Sequence, residues 1–154
     1  MNARKIITIA FFLVVLGVGH YSMNAAPVIR DDAHTYQGGI EWETEPGTAF
    51  DAAQSQDKPV LVYYWATWCT YCERYDKNHY RNETVRAAMD DYVLLAVNID
   101  DPGNATGLVR QHQATYPPQH RIMTPEGETV ESVEGYIGRD ELLATLEKGS
   151  EEAT

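Results

Sequence analysis

Cysteine is nearly absent from this chain of 154 residues, which has two, Cys69 and Cys72. A structural zinc site takes four ligands, usually with a second Cys pair or two His, so this pair alone does not make one. His79 lies well past Cys72, His112 and His120 lie farther along the chain, and the residue directly after Cys72, where covalent haem attachment needs His, is Glu73. Basic residues are also scarce, with 12 Lys and Arg against 23 Asp and Glu and a net charge of −11. Arg4 and Lys5 sit in an N-terminal segment with no acid, which leaves a balance of −13 over the remainder. Binding to a nucleic-acid backbone needs clustered Lys and Arg, and that class is excluded. The excess acid fits a domain facing water. No internal repeat or low-complexity tract occurs after the first forty residues.

What is present is enough for one folded domain with its own core, at 44% hydrophobic and 10% aromatic residues. "MNARKIITIAFFLVVLGVG" has a short basic start and an apolar run from Ile6 to Val18, the layout of an export signal. At about 1.5 Å per residue the run covers about 20 Å, short of the roughly 30 Å hydrocarbon core. Extended over residues 6 to 23 it serves instead as an uncleaved membrane anchor. Neither outcome involves a cysteine-linked lipid, and both put the body outside the cytoplasm. Residues 1–26 are therefore read as signal peptide or anchor, 27–39 as a polar linker ending in Gly38-Gly39, 40–149 as the folded domain and 150–154 as an acidic tail.

Within the domain, Thr48 to Gln56 is expected to be a helix capped by Thr48, and "KPVLVYYWA" (58–66) a buried central strand. A helix should start at the cysteines and run, with a bend, to about Met89. "YVLLAVNI" (92–99) reads as a second buried strand and 104–114 as a weaker helix. Segments 119–124 and 128–136 are expected to pair as a hairpin about "TPEGE". A last helix, 139–149, should carry Leu142, Leu143 and Leu146 on one stripe and stop at Gly149. The order β-α-β-α-β-β-α predicts an α/β fold, a mixed sheet with helices on both faces.

Two thiols three residues apart are a structural staple, a pair of metal ligands or a redox couple. A loop this small contributes only about 2 kcal/mol as a staple. Copper(I) on the two thiolates stays open. Redox chemistry asks for a CxxC pair where a buried strand turns into a helix, whose free N–H groups stabilise the first thiolate. Cys69 is then the nucleophile and Cys72 the resolving thiol.

"KPVLVYYWATWCTYC" resembles the active-site strand and loop of the thioredoxin-like family, with Trp68 directly before the first cysteine. The likeness is nearest to the C-terminal thioredoxin-like domain of the disulfide reductase DsbD and its stand-alone relatives. "DKNHYRNETVRAAM", "YVLLAVNID" and "GYIGRDELLATL" are similar to later segments of that domain, so the likeness runs over about residues 41–148. It implies a thioredoxin fold and a cis-proline beside the disulfide, for which "TYPPQH" offers Pro117 and Pro118. The spacing to Gly127 favours Pro118. Trp68, Pro117, Pro118 and Tyr136 are implied as the docking surface for a substrate disulfide.

Three positions depart from the family pattern. Tyr63 stands where the resemblance implies a buried acid that takes the proton of the resolving thiol, and Asp76, four residues past Cys72, is the candidate replacement. Pro117 has no N–H to give a bound peptide. "QHRIM" is more polar than the family's strand, so its centre is expected to be less buried or distorted, with Gln119 and His120 at the active-site rim and the His120 ring exposed. Thr70 and Tyr71, between the cysteines, carry no charge, which leans toward a reductant. The expected function is reduction of disulfides in exported proteins, with electrons from a separate membrane donor, no cofactor, no metal and no nucleic acid. A disulfide oxidase or isomerase and a copper(I)-binding protein are the alternatives.

Overall fold

Four strands and five helices follow in the expected order in the computed structural model, which describes residues 36–153. The signal or anchor and most of the linker lie outside the described residues. Helix α1 (Pro46–Gln56) starts two residues before Thr48, because Pro46 has no N–H to lose in a first turn, and Glu45 is the capping residue. Strand β1 (Val60–Trp65) is buried along its whole length. Helix α2 (Thr70–Asn78) stops at His79, and α3 (Glu83–Met89) starts afresh from Asn82, whose side chain accepts the N–H groups of Thr84 and Val85. The single bent helix expected there is therefore two.

Strand β2 (Val93–Asn98) runs parallel to β1 with Tyr63 opposite Ala96. After a 3₁₀ turn (Gly103–Ala105), α4 (Thr106–Gln111) leads to β3 (Gln119–Met123), antiparallel to β1 with Tyr63 opposite His120. Strand β4 (Thr129–Glu134) completes the expected hairpin with β3. The sheet order is β2-β1-β3-β4.

Alternation along β1 feeds two cores. Val60, Val62 and Tyr64 face one way, with Ala49 and Ala53 of α1. Leu61, Tyr63 and Trp65 face the other, with both cysteines, Tyr75, Val85, Met89 and the leucines of α5 (Arg139–Glu152). Helix α5 passes through Gly149 rather than stopping there. Gly149 is buried, and a Cβ at that position would lie 2.3 Å from Ile122 Cδ1, so its missing side chain lets the helix sit on β3. Residues 150–152 of the expected tail belong to this helix.

Strand β3 corrects another expectation. Gln119, His120 and Arg121 are all buried, and the only register shift lies at Ile122/Met123, at the strand's end. The polarity is accommodated because each of the three side chains has at least one hydrogen-bond partner. The Arg121 guanidinium donates to the carbonyls of His120 and His112 and to Gln119 Oε1, and pairs with Glu134 at 2.5 Å.

The described residues, 36–153, belong to one compact unit. Tyr36 and Gly38 bind the body directly: the Tyr36 hydroxyl donates to the Thr67 carbonyl, the Gly38 N–H to Asp76, and Arg86 to the Gly38 carbonyl.

Candidate functional site: a disulfide at a helix N-terminus

Cys69 and Cys72 are joined by a disulfide, with Cα atoms 5.2 Å apart. Cys69 is the N-cap of α2, and its Sγ accepts the Cys72 N–H at 3.1 Å, one of the donors that a helix start leaves free. Of the two, Cys69 alone keeps any exposed surface, at 3%.

Among the described residues three large hydrophobic side chains stand out into solvent, two of them, Trp68 and Tyr71, in the segment of the cysteines and the third, Tyr116, directly before Pro117-Pro118. Trp68 is 61% exposed, Tyr71 50% and Tyr116 80%. Trp68 is fixed by its indole N–H, which donates to Asp100 at 2.8 Å from the loop after β2. Tyr71 stacks on Tyr136 with ring centres 6.0 Å apart, and the Arg74 guanidinium lies 5.0 Å over its ring. Tyr71 and Tyr116 were not picked out from the sequence. Their position between the cysteines and directly before Pro117-Pro118 was the available signal.

The Pro117-Pro118 bond is cis, at the position expected. Pro118 is buried and Pro117 partly exposed. The Pro118 carbonyl accepts the Gly135 N–H at 2.8 Å. From the other side, the Tyr75 hydroxyl on α2 donates to the Gly135 carbonyl and accepts the Ile137 N–H, both at 3.2 Å. One ring on the CxxC helix thus holds the loop that carries Tyr136 to the proline loop.

The chain belongs to the thioredoxin-like family. Its family model, described as thioredoxin-like, matches residues 41–125. The chain is 24% identical over 94 residues to the thiol:disulfide interchange protein DsbD of Campylobacter jejuni, covering 61% of this chain and 17% of that protein. The chain thus spans less than a fifth of the length of such relatives. Among solved structures, a thioredoxin from Thermus thermophilus superposes with a TM-score of 0.63 at 24% identity, covering 71% of this chain and 85% of that one. The oxidised C-terminal domain of Neisseria meningitidis DsbD gives 0.56 at 21% identity, covering 67% and 90%. At those identities the two structures establish the thioredoxin-like fold.

Behind the disulfide this thioredoxin-like site holds rings where the family pattern implies an acid. Tyr63 stacks on His120 at 5.0 Å and 13°, and meets Tyr80 edge-on at 5.3 Å. Tyr75 sits 4.8 Å from both His79 and His120. Tyr80 Oη and His120 Nε2 are hydrogen bonded at 2.6 Å. His120 is 2% exposed, so it is a core residue and not a rim residue with an exposed ring, and Gln119 is buried beside it. Burial, helped by His79 and Arg121, lowers the His120 pKa to about 3. Burial also raises the hydroxyls of Tyr63 and Tyr80 and pushes Tyr75 up to about 12. The Tyr63 hydroxyl is buried without a hydrogen-bond partner among the described residues.

Asp76 is the only buried carboxylate among the described residues. One oxygen accepts the Gly38 N–H at 2.6 Å, and the other accepts from Arg81 at 3.0 Å. It lies one turn beyond Cys72 on α2, on the same side of the helix.

Proposed function

We propose that this protein is an extracytoplasmic thiol-disulfide oxidoreductase that reduces disulfides in exported proteins. Reduced Cys69 attacks the substrate disulfide, forming a mixed disulfide and releasing one substrate thiolate. Cys72 then attacks Cys69 Sγ, which closes the Cys69–Cys72 disulfide and releases the second substrate thiolate. Two electrons pass to the substrate. A separate donor, reached at the membrane, returns them. The export layout of residues 1–26 supports an extracytoplasmic location, and no helix among the described residues is long and apolar enough to cross a membrane.

Features of the site support these roles. Cys69 is the attacking thiol because only it has exposed surface, and it sits where helix N–H groups favour a thiolate. Trp68, Tyr71, Tyr116, Tyr136 and the two prolines form the docking rim. Pro117 removes one main-chain donor, so aromatic contact carries more of the binding. Asp76 takes the Cys72 proton, as the one buried carboxylate on the Cys72 helix.

What supports the reductase direction is the lack of charge between the cysteines: Thr70 and Tyr71 are both neutral, and Tyr71 stacks on Tyr136. Without a charged donor there, the thiolate has only the helix N-terminus to stabilise it, which suits a reducing couple. The reduction potential, measured against glutathione or thioredoxin, is expected near about −270 mV, and a value near about −120 mV would turn the reading to an oxidase. In the same preparation, Cys72→Ser should accumulate mixed disulfides with substrate while Cys69→Ser accumulates none. The opposite pattern would reverse the two roles.

A further inference from the structure

We propose that the face beside Tyr136 recognises an acidic segment next to the partner's disulfide. This deepens the reductase reading and rests on it. Of the 12 Lys and Arg residues, Arg4, Lys5 and Arg30 lie outside the described residues, and three of the remaining nine, Lys77, Arg81 and Arg139, line one cleft. His79, Tyr136 and Asn82 help to close it, and no acidic side chain lines it. In a chain with 23 acids that separation is local and strong.

Other clefts have the opposite sign. The one beside Trp42 is lined by Glu41, Glu43 and Asp90, and the one between α3 and α5 by Asp91, Glu147 and Glu151, with no Lys or Arg in either.

The basic cleft adjoins the chemistry. Tyr136 lines it and also stacks on Tyr71, which sits between the two cysteines, and Arg74 over Tyr71 extends the positive charge toward the disulfide. The charge is not all neutralised internally. Lys77 pairs with Glu73 and Arg81 with Asp76, but the Arg139 side chain makes no ion pair or hydrogen bond among the described residues, and its charge adds to burial in lowering His79. A partner strand laid over Cys69, Tyr71 and Tyr136 would bring its flanking residues onto Arg139. Carboxylates there meet complementary charge, whereas most of this surface repels them.

The test uses two peptides with the same intramolecular disulfide, one flanked by Asp and Glu and one by Asn and Gln. Binding is read from Trp fluorescence with versions in which Ser replaces Cys, and reduction from single-turnover rates with the reduced protein. The native protein should prefer the acidic peptide by about tenfold at low salt in both readouts, with the preference shrinking as ionic strength rises. Arg139→Glu should cut that preference at least fivefold and Arg139→Lys should keep most of it. Equal handling of the two peptides by the native protein, or a preference untouched by Arg139→Glu, overturns the proposal. Preferential binding without reduction of either peptide keeps the docking site and instead removes the reductase reading.

Discussion

Two tyrosine-to-phenylalanine substitutions in the cluster behind the disulfide should change stability in opposite directions. Tyr63 and Tyr80 are both fully buried, and their rings touch at 5.3 Å. They differ in the fate of the hydroxyl. That of Tyr80 is bonded to His120 Nε2 at 2.6 Å, while that of Tyr63 has no partner among the described residues. An orphaned buried hydroxyl costs about 1 to 3 kcal/mol of desolvation, and Phe removes it while keeping the stack on His120 and the contact with Trp42. Tyr63→Phe should therefore raise the unfolding free energy by about 1 kcal/mol, or Tm by about 4 °C. Tyr80→Phe deletes a made bond and leaves His120 with neither nitrogen partnered, at a cost of about 2 kcal/mol. The measurement is urea unfolding of the oxidised protein, with unchanged m-values as the check that the unfolded state is the same. If Tyr63→Phe loses more than about 1 kcal/mol, or both variants fall together, the hydroxyl of Tyr63 has a partner and the account of the cluster is wrong.

Acid should unfold the protein partly through His120. Its pKa is about 3 when folded and near 6.5 when unfolded, so below pH 6.5 the unfolded chain binds a proton that the folded one refuses. Stability is then full above about pH 6.5 and lost as pH falls toward 3, at up to about 1.4 kcal/mol per unit, with His79 adding in the same sense. His120→Gln, which can still bond the Tyr80 hydroxyl, should flatten the slope of unfolding free energy between pH 4 and 6.5 by close to one proton; an unchanged slope would count against a buried neutral His120. At the other end of the core, Gly149→Ala should destabilise by about 1 kcal/mol in thermal unfolding despite the better helix propensity of Ala, because the new methyl meets Ile122 Cγ2 at 3.0 Å as well as Cδ1. A gain in Tm would mean that α5 can move away from β3 freely.

The parts legible in the sequence were those encoded over short distances. The apolar run of β1, the CxxC at the following helix start and the turn of the β3-β4 hairpin all rest on patterns within about ten residues, whereas the cis bond at Pro118 was expected from the family resemblance. What could not be read came from partners far apart. Polarity in Gln119, His120 and Arg121 looks like exposure unless Tyr80, forty positions earlier, is known to meet His120. Asp76 looks like a surface acid until Gly38 arrives from 38 residues upstream. Gly149 has the appearance of a helix stop because a tight helix-to-strand approach leaves no local mark. The start of α2 shows the same division: its position was set by Cys69 as cap, whereas its end depended on Asn82 capping the next helix.

Exchanging the buried acid for Tyr63 changes what the space behind Cys72 can do. A carboxylate there would have its pKa raised toward neutral pH by burial. Burial instead raises the hydroxyls of Tyr63, Tyr75 and Tyr80, and keeps His120 neutral down to about pH 3. From mildly acidic to mildly basic pH these four groups keep one charge state, so they act on the site through shape and hydrogen bonds. Tyr75 is where that action reaches the surface, since its hydroxyl ties the Gly135–Ile137 loop that presents Tyr136. Any pH dependence of the thiol chemistry between these limits must then arise from the cysteines and from groups outside the cluster, while substitutions within it should alter how Tyr136 meets a docked partner.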